Sequence, residues 1–138
     1  MKLQSGDRLP PWRLESVDAE NIRLLADVLG DPNPIHLDPA AVAAAGLGDR
    51  VINQGPANLA YVLNMIMQAG LEPISLEARF TGSVRAGDSV EATGEGLPNV
   101  QAEGAKQEVS CEFKLSTGAG DTAIQGVALV KVASERTP

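Results

Sequence analysis

The sequence predicts an α+β fold in which an antiparallel sheet wraps a long apolar helix. Three observations predict it. Apolar residues recur at helical spacing through the first half of the chain, and they alternate every second residue through most of the second half. Helices first and strands afterwards is the segregated α+β order. The segment after Gly55 is apolar on nearly every side, so it needs a sheet around it, and it is too short to span a bilayer. The 138 residues suffice for one domain with a modest core, and positions 1–138 read as one unit without repeats or low-complexity tracts.

The elements follow in order. A short strand is expected around Trp12 to Glu15, with Trp12 as a packing anchor. A helix is expected from Ser16 to Leu29. Ser16 or Asp18 serves as its N-cap, Ile22, Leu25, Ala26 and Leu29 form its apolar face, and Gly30 is its stop. Asp38-Pro39 reads as a cap followed by proline at the first helical position, opening a short helix over Ala40 to Ala45 that Gly46 ends. Gly46 to Asp49 is a turn. Pro56 is placed as the first residue of the apolar helix, which runs from Ala57 to Ala69.

In the second half, Ile74, Leu76, Ala78 and Phe80 alternate with Ser75, Glu77, Arg79 and Thr81, as in a half-buried strand. A second strand covers Ser89 to Gly94, and Gly96 to Gly104 is loop-like. Val109, Cys111, Phe113 and Leu115 mark the inward face of a third, with Cys111 a core residue rather than a nucleophile. Thr117 to Asp121 is a hairpin turn. The last strand, Thr122 to Ala133, is apolar on both faces at its middle, as expected of a central strand covered twice. Glu135 to Pro138 read as a frayed tail.

The chemistry-bearing stretch is Asp31-Pro-Asn-Pro-Ile-His-Leu-Asp38, which holds the one histidine of the chain. Each proline fixes its own φ and keeps its predecessor out of the helical region, so an ordered, extended loop is expected rather than a helix. A stiff loop holds a carboxylate and an imidazole at one separation, which suits shared proton transfer. Asp31 and His36 are therefore the candidate pair. Asn33 supports the loop by bonding its backbone. Asp38 is better read as a helix cap than as a chemical group, because capping needs only this local spacing.

The wider run from Gly30 to Gly55, GDPNPIHLDPAAVAAAGLGDRVINQG, resembles the signature of the MaoC-like family of R-specific enoyl-thioester hydratases and dehydratases. Asp31, Asn33, Pro34, Ile35, His36, Asp38, Ala44 or Ala45, Gly46 and Gly55 occupy the matching positions. A weaker echo runs from Arg79-Phe80 through Val84 to Gly87-Asp88. The resemblance implies a hot-dog fold, hydration of enoyl thioesters carried by coenzyme A or acyl-carrier protein (or the reverse dehydration), and no metal or redox cofactor. It also implies a homodimer or a pairing with a related subunit. Asp31 and His36 would activate the water. A helix start offers free N–H groups to the thioester oxygen; Pro56 has none, leaving Gly55 or Ala57, and the resemblance favours Gly55. Arg79 and Arg85 are weaker candidates for contact with carrier phosphates. The chain departs from the family pattern at Gln54, Pro56 and Gly82, and its apolar helix lacks the serine that some members carry there. These departures bear on substrate preference and rate.

The bulk numbers remove other classes. A net charge of -7 argues against nucleic acid, whose binders carry a basic patch. One His and one Cys make a zinc site improbable, and one Cys precludes an internal disulfide and fits a reducing cytosol. No apolar run is long enough for a membrane span, and MKLQSGDRLPPW has no apolar core of a signal peptide. A hot-dog thioesterase would need an acid in the central helix, and Glu72 lies beyond it. A non-catalytic subunit would have no need of the Asp31/His36 pair. The hydratase reading is the one these residues favour.

Overall fold

A computed structural model describes residues 3–98 and 108–133. The expected loop after Gly96 lies mostly outside these residues, and so does the tail from Glu135. Five strands form one antiparallel sheet in the order β1-β3-β4-β5-β2: β1 (Trp12–Leu14), β2 (Leu71–Phe80), β3 (Val90–Gly96), β4 (Glu108–Thr117) and β5 (Thr122–Val132). Three helices precede all but the first strand: α1 (Ala19–Leu29), α2 (Pro39–Ala44) and α3 (Gly55–Gln68). No helix among the described residues is long and apolar enough to cross a membrane.

The sheet curves around α3, which touches all five strands. Val62, Met65 and Ile66 are buried against Leu71, Ala92, Cys111, Phe113, Leu115 and Ile124. The inward alternation read for Cys111, Phe113 and Leu115 holds. Gln54, the residue at the N-cap of α3, makes no side-chain capping bond, which forgoes about 1 kcal/mol. Each buried Val, Met or Ile contributes about 1.5–3 kcal/mol, so packing and not capping holds this helix.

Several boundaries differ from the sequence expectation. The first helix starts at Ala19, not Ser16, because the Asp18 side chain accepts the Glu20 N–H at 2.9 Å and so fixes the cap. Of its expected apolar face, Ile22 and Ala26 are buried, whereas Leu29 is exposed. Helix α3 begins at Gly55, so Pro56 is its second residue. It is not buried all round: Ala60, Asn64 and Met67, one stripe at spacings of four and three, face outward. Strand β2 begins at Leu71 and carries a bulge between Pro73 and Ser75, so Ile74 has no partner on β5 and is exposed. Strand β5 pairs on both edges, but Val127 on its outer face is 40% exposed, so only one face is covered.

Gly126 of β5 sits where β2 approaches most closely. A Cβ there would overlap the Glu77 carbonyl oxygen and press on Phe113. Gly126→Ala is expected to cost about 1–3 kcal/mol, read as a lower urea midpoint. Burial pushes the Cys111 thiol up to about 11. The folded protein is therefore expected to resist thiol reagents at neutral pH and to react only once unfolded.

Candidate active site

Helix α1 ends at Gly30, whose φ of 62° turns the chain back so that the Asp31 N–H reaches the Ala26 carbonyl at 2.9 Å. From there the short polar side chains organise the loop. Asp31 Oδ1 accepts the Asn33 N–H at 3.2 Å, and Asn33 Oδ1 accepts the Ile35 N–H at 3.3 Å. Asn33 is extended, with ψ at 121°, as its following proline requires. Pro34 to His36 then forms one 3-10 turn, which corrects the expectation of a wholly extended loop. The reason is that a proline φ is also the φ of a first helical residue, and Asn33 supplies the cap.

The turn places His36 inward, with 8% of its side chain exposed. Its Nδ1 lies 2.6 Å from the Ile52 carbonyl oxygen. A carbonyl only accepts, so this contact assigns the proton to Nδ1. Nε2 then faces Asp31 Oδ2 at 3.1 Å. The two Asp31 oxygens thus differ: one holds the loop, the other meets the imidazole. Asp31 is 41% exposed in its side chain, so the pair opens to solvent on the carboxylate side. Asp38 is turned to a different use. Its Oδ1 accepts the Ala40 N–H at 2.9 Å as the N-cap of α2.

Ile52 also brings the start of α3 into the same region. Its N–H donates to the Ile35 carbonyl at 2.9 Å, one residue from His36, and Gly55 follows three positions later. Among the described residues neither the Gly55 nor the Ala57 N–H finds an acceptor. A Cβ on Gly55 would lie 3.4 Å from the Phe80 ring, so that ring covers the helix entrance. The structure therefore brings together Asp31, His36 and, through Ile52, the amide end of α3.

Sequence reasoning missed a buried polar group beside this end. Asn53 Nδ2 donates to Asn58 Oδ1 at 2.8 Å and to the Tyr61 hydroxyl at 3.1 Å. Tyr61 stacks on Trp12 with ring centroids 5.0 Å apart. Burial raises the Tyr61 phenol above its ordinary value, and the Asn53 bond opposes that rise. Gln54, 1% exposed, donates from Nε2 to the Ile22 carbonyl at 2.8 Å, tying α1 to the start of α3. The one signal for these residues was an amide pair, Asn53-Gln54, at the head of an otherwise apolar helix.

The two arginines diverge. Arg85 donates from Nε and Nη2 to the Leu47 carbonyl at 3.2 and 3.0 Å, and among the described residues no carboxylate meets its guanidinium. Its backbone bridges Ile52. Arg79 points out from β2 on the face away from α3, and no bond links it to the pair. Among the described residues, no group of three His, Cys, Asp or Glu side chains is close enough to hold a metal ion.

A helix sheathed by a five-stranded antiparallel sheet, with an acid and an imidazole near its N-terminal end, is a hot-dog domain. Residues 9–116 match the family model described as MaoC like domain, and the chain belongs to the MaoC-like dehydratase family. Among solved structures it is similar to an (R)-hydratase of A. caviae involved in PHA biosynthesis, at 25% identity and a TM-score of 0.82, covering 94% of this chain and 97% of that one. It is similar also to the R-hydratase PhaJ1 of Pseudomonas aeruginosa, at 24% identity and a TM-score of 0.79, covering 99% and 91%. The ChsH1-ChsH2 complex of Mycobacterium tuberculosis shares the fold at 16% identity and a TM-score of 0.77, over 94% and 98%. A 44-residue stretch is 43% identical to a protein of Streptomyces avermitilis described as a UPF0336 protein; the match spans 32% of this chain and only 29% of that protein.

Asp38→Ala is expected to lower stability by about 1 kcal/mol in urea melts, and Asp38→Asn to stay near the parent, since Asn caps equally well.

Proposed function

We propose that the protein hydrates trans-2-enoyl thioesters to (R)-3-hydroxyacyl thioesters, or dehydrates in reverse, with coenzyme A or acyl-carrier protein as carrier. One observation carries this: His36 Nε2 faces Asp31 Oδ2 at 3.1 Å while Nδ1 is held by the Ile52 carbonyl. With the proton on Nδ1, Nε2 and the carboxylate are both acceptors. A water beside the pair donates one O–H to these acceptors and keeps a lone pair for attack at C3 of the enoyl group. The pair takes one proton from the water as the C–O bond forms and passes a proton on to C2, so the pair ends as it began; dehydration runs the same steps backward. Charge develops on the thioester oxygen meanwhile. The Gly55 N–H at the positive end of α3 is the donor for it. Asn33 keeps the loop in shape and Asp38 caps the next helix. Of the two arginines, Arg85, whose guanidinium has no carboxylate partner among the described residues, is the better placed for carrier phosphates.

A thioesterase reading has no acid in α3 to support it, and Glu72 lies on β2 beside Lys131 at 3.8 Å.

The test is hydration of crotonyl-CoA, followed as loss of enoyl absorbance and, in parallel, as release of free thiol. Absorbance loss without thiol is the expected result; thiol release or silence from the purified chain sinks the reading. Asp31→Asn and His36→Ala are each expected to lower kcat by about 10²–10⁴-fold. Their combination is expected to be little worse than the poorer single, because the two groups act on one water. Full activity in either single variant removes the mechanism.

A further inference from the structure

The head of α3 is held from outside the helix. Gln54 at its N-cap makes no side-chain capping bond. Asn53, one residue earlier, reaches forward onto the helix instead. Its amide has two N–H groups and uses both, one to Asn58 Oδ1 at 2.8 Å and one to the Tyr61 hydroxyl at 3.1 Å. Among the described residues these are the hydrogen bonds that join the extended residues 51–53 to the body of α3. Asn53 and Asn58 are both buried, and Tyr61 is fixed in turn by its stacking on Trp12. An apolar side chain would fill this space with no polar group to satisfy. What the amide adds is direction.

That direction bears on His36. The Ile52 carbonyl, which meets His36 Nδ1 at 2.6 Å, and the Asn53 N–H belong to one planar peptide group. The N–H of that plane donates to the Val84 carbonyl at 2.7 Å. A trans peptide points its C=O and its N–H opposite ways, so the plane is pinned between the imidazole and residue 84. Neither of those two bonds ties the plane to α3. The Asn53 side chain does, because it anchors the same residue to Asn58 and Tyr61, about one and two turns into the helix.

We propose that Asn53 is a positioning residue for hydration: through the peptide it shares with Ile52, it holds the His36 imidazole at a fixed setting relative to the Gly55 N–H. Its effect on rate rests on the function proposed above, whereas the hold on the imidazole stands on the hydrogen bonds alone. The acid–imidazole pair and the Gly55 amide serve different atoms of the substrate, the water at C3 and the thioester oxygen. Both must be met at once in the transition state, and a misplacement of about 1 Å costs about 100-fold in rate. Binding of the carrier and acyl chain does not draw on this alignment, so the loss falls on kcat rather than on KM.

The chain has one histidine, so its imidazole signals need no assignment. The experiment compares the parent with Asn53→Ala and with Tyr61→Phe, which deletes one of the two bonds and keeps the ring on Trp12. Gly126→Ala is the control, since it lowers stability in the sheet and not at the head of α3. The Nδ1 proton of His36 is read by proton NMR at neutral pH; a buried bond to a carbonyl slows its exchange with water. Crotonyl-CoA hydration is read on the same samples, with rates given per folded molecule from urea melts. The parent is expected to show the Nδ1 proton as a slowly exchanging downfield signal. Asn53→Ala is expected to broaden or lose that signal and to lower kcat by about 10–100-fold, with KM near the parent's. Tyr61→Phe moves both readings the same way and by less, and Gly126→Ala leaves both near the parent. A parent-like Nδ1 signal in Asn53→Ala overturns the proposal, as does kcat unchanged in that variant or lost equally in Gly126→Ala. Should Asn53→Ala not fold, parent-like readings in Tyr61→Phe overturn it. A parent that leaves crotonyl-CoA untouched, with the Nδ1 signal lost in Asn53→Ala, sinks the enzyme reading and leaves the hold on His36. An active parent whose variants keep the signal does the reverse.

Discussion

The bond from His36 Nδ1 to the Ile52 carbonyl, at 2.6 Å, is the interaction on which the arrangement of the site depends. It fixes which nitrogen carries the proton, and so which nitrogen faces Asp31. It is buried, where a lost hydrogen bond leaves a polar group unsatisfied at a cost of about 1–3 kcal/mol. With the neighbouring bond from the Ile52 N–H to the Ile35 carbonyl, it closes a two-rung contact between the loop and the strand-like residues ahead of α3. The imidazole and the head of the helix are thereby held by one residue's backbone.

Stability and chemistry are divided between two parts of the chain. The sheet and the inner face of α3 supply the apolar burial, with Val62, Ile66, Leu115, Ile124, Ala128 and Val130 inaccessible to solvent. Apart from Thr117 of β4, the buried polar side chains among the described residues are His36, Asn53, Gln54 and Asn58, around the head of α3. Buried polar groups cost stability unless they are paired, and here the His36 ring, the Asn53 amide and Gln54 Nε2 each have a partner, while Gln54 Oε1 has none among the described residues. Gln54 is the link between the two parts. Its amide holds the Ile22 carbonyl, so the helix that delivers Asp31 and the helix that begins at Gly55 share a fixed point.

α3 reads as apolar on nearly every side, yet Met67 faces outward in the single chain. Ile74 and Phe80 of β2 are exposed as well, and so are Leu24, Val28 and Leu29 of α1.

The amino-acid sequence by itself determined the order of helices and strands, the caps at Gly30 and Asp38, and the inward face of β4. Each depends on residues within a few positions of one another, and local sterics and periodicity write these directly into the chain. It also placed Asp31 and His36 on one stiff segment. Only the tertiary structure decided what that pair meets. The carbonyl that fixes the imidazole belongs to Ile52, sixteen residues on, and a backbone carbonyl has no letter in the sequence. The same holds for the Gln54 tie to Ile22 and for the bulge that exposes Ile74: both arise where distant segments come together, and contact between distant segments is set by packing rather than by neighbouring residue types.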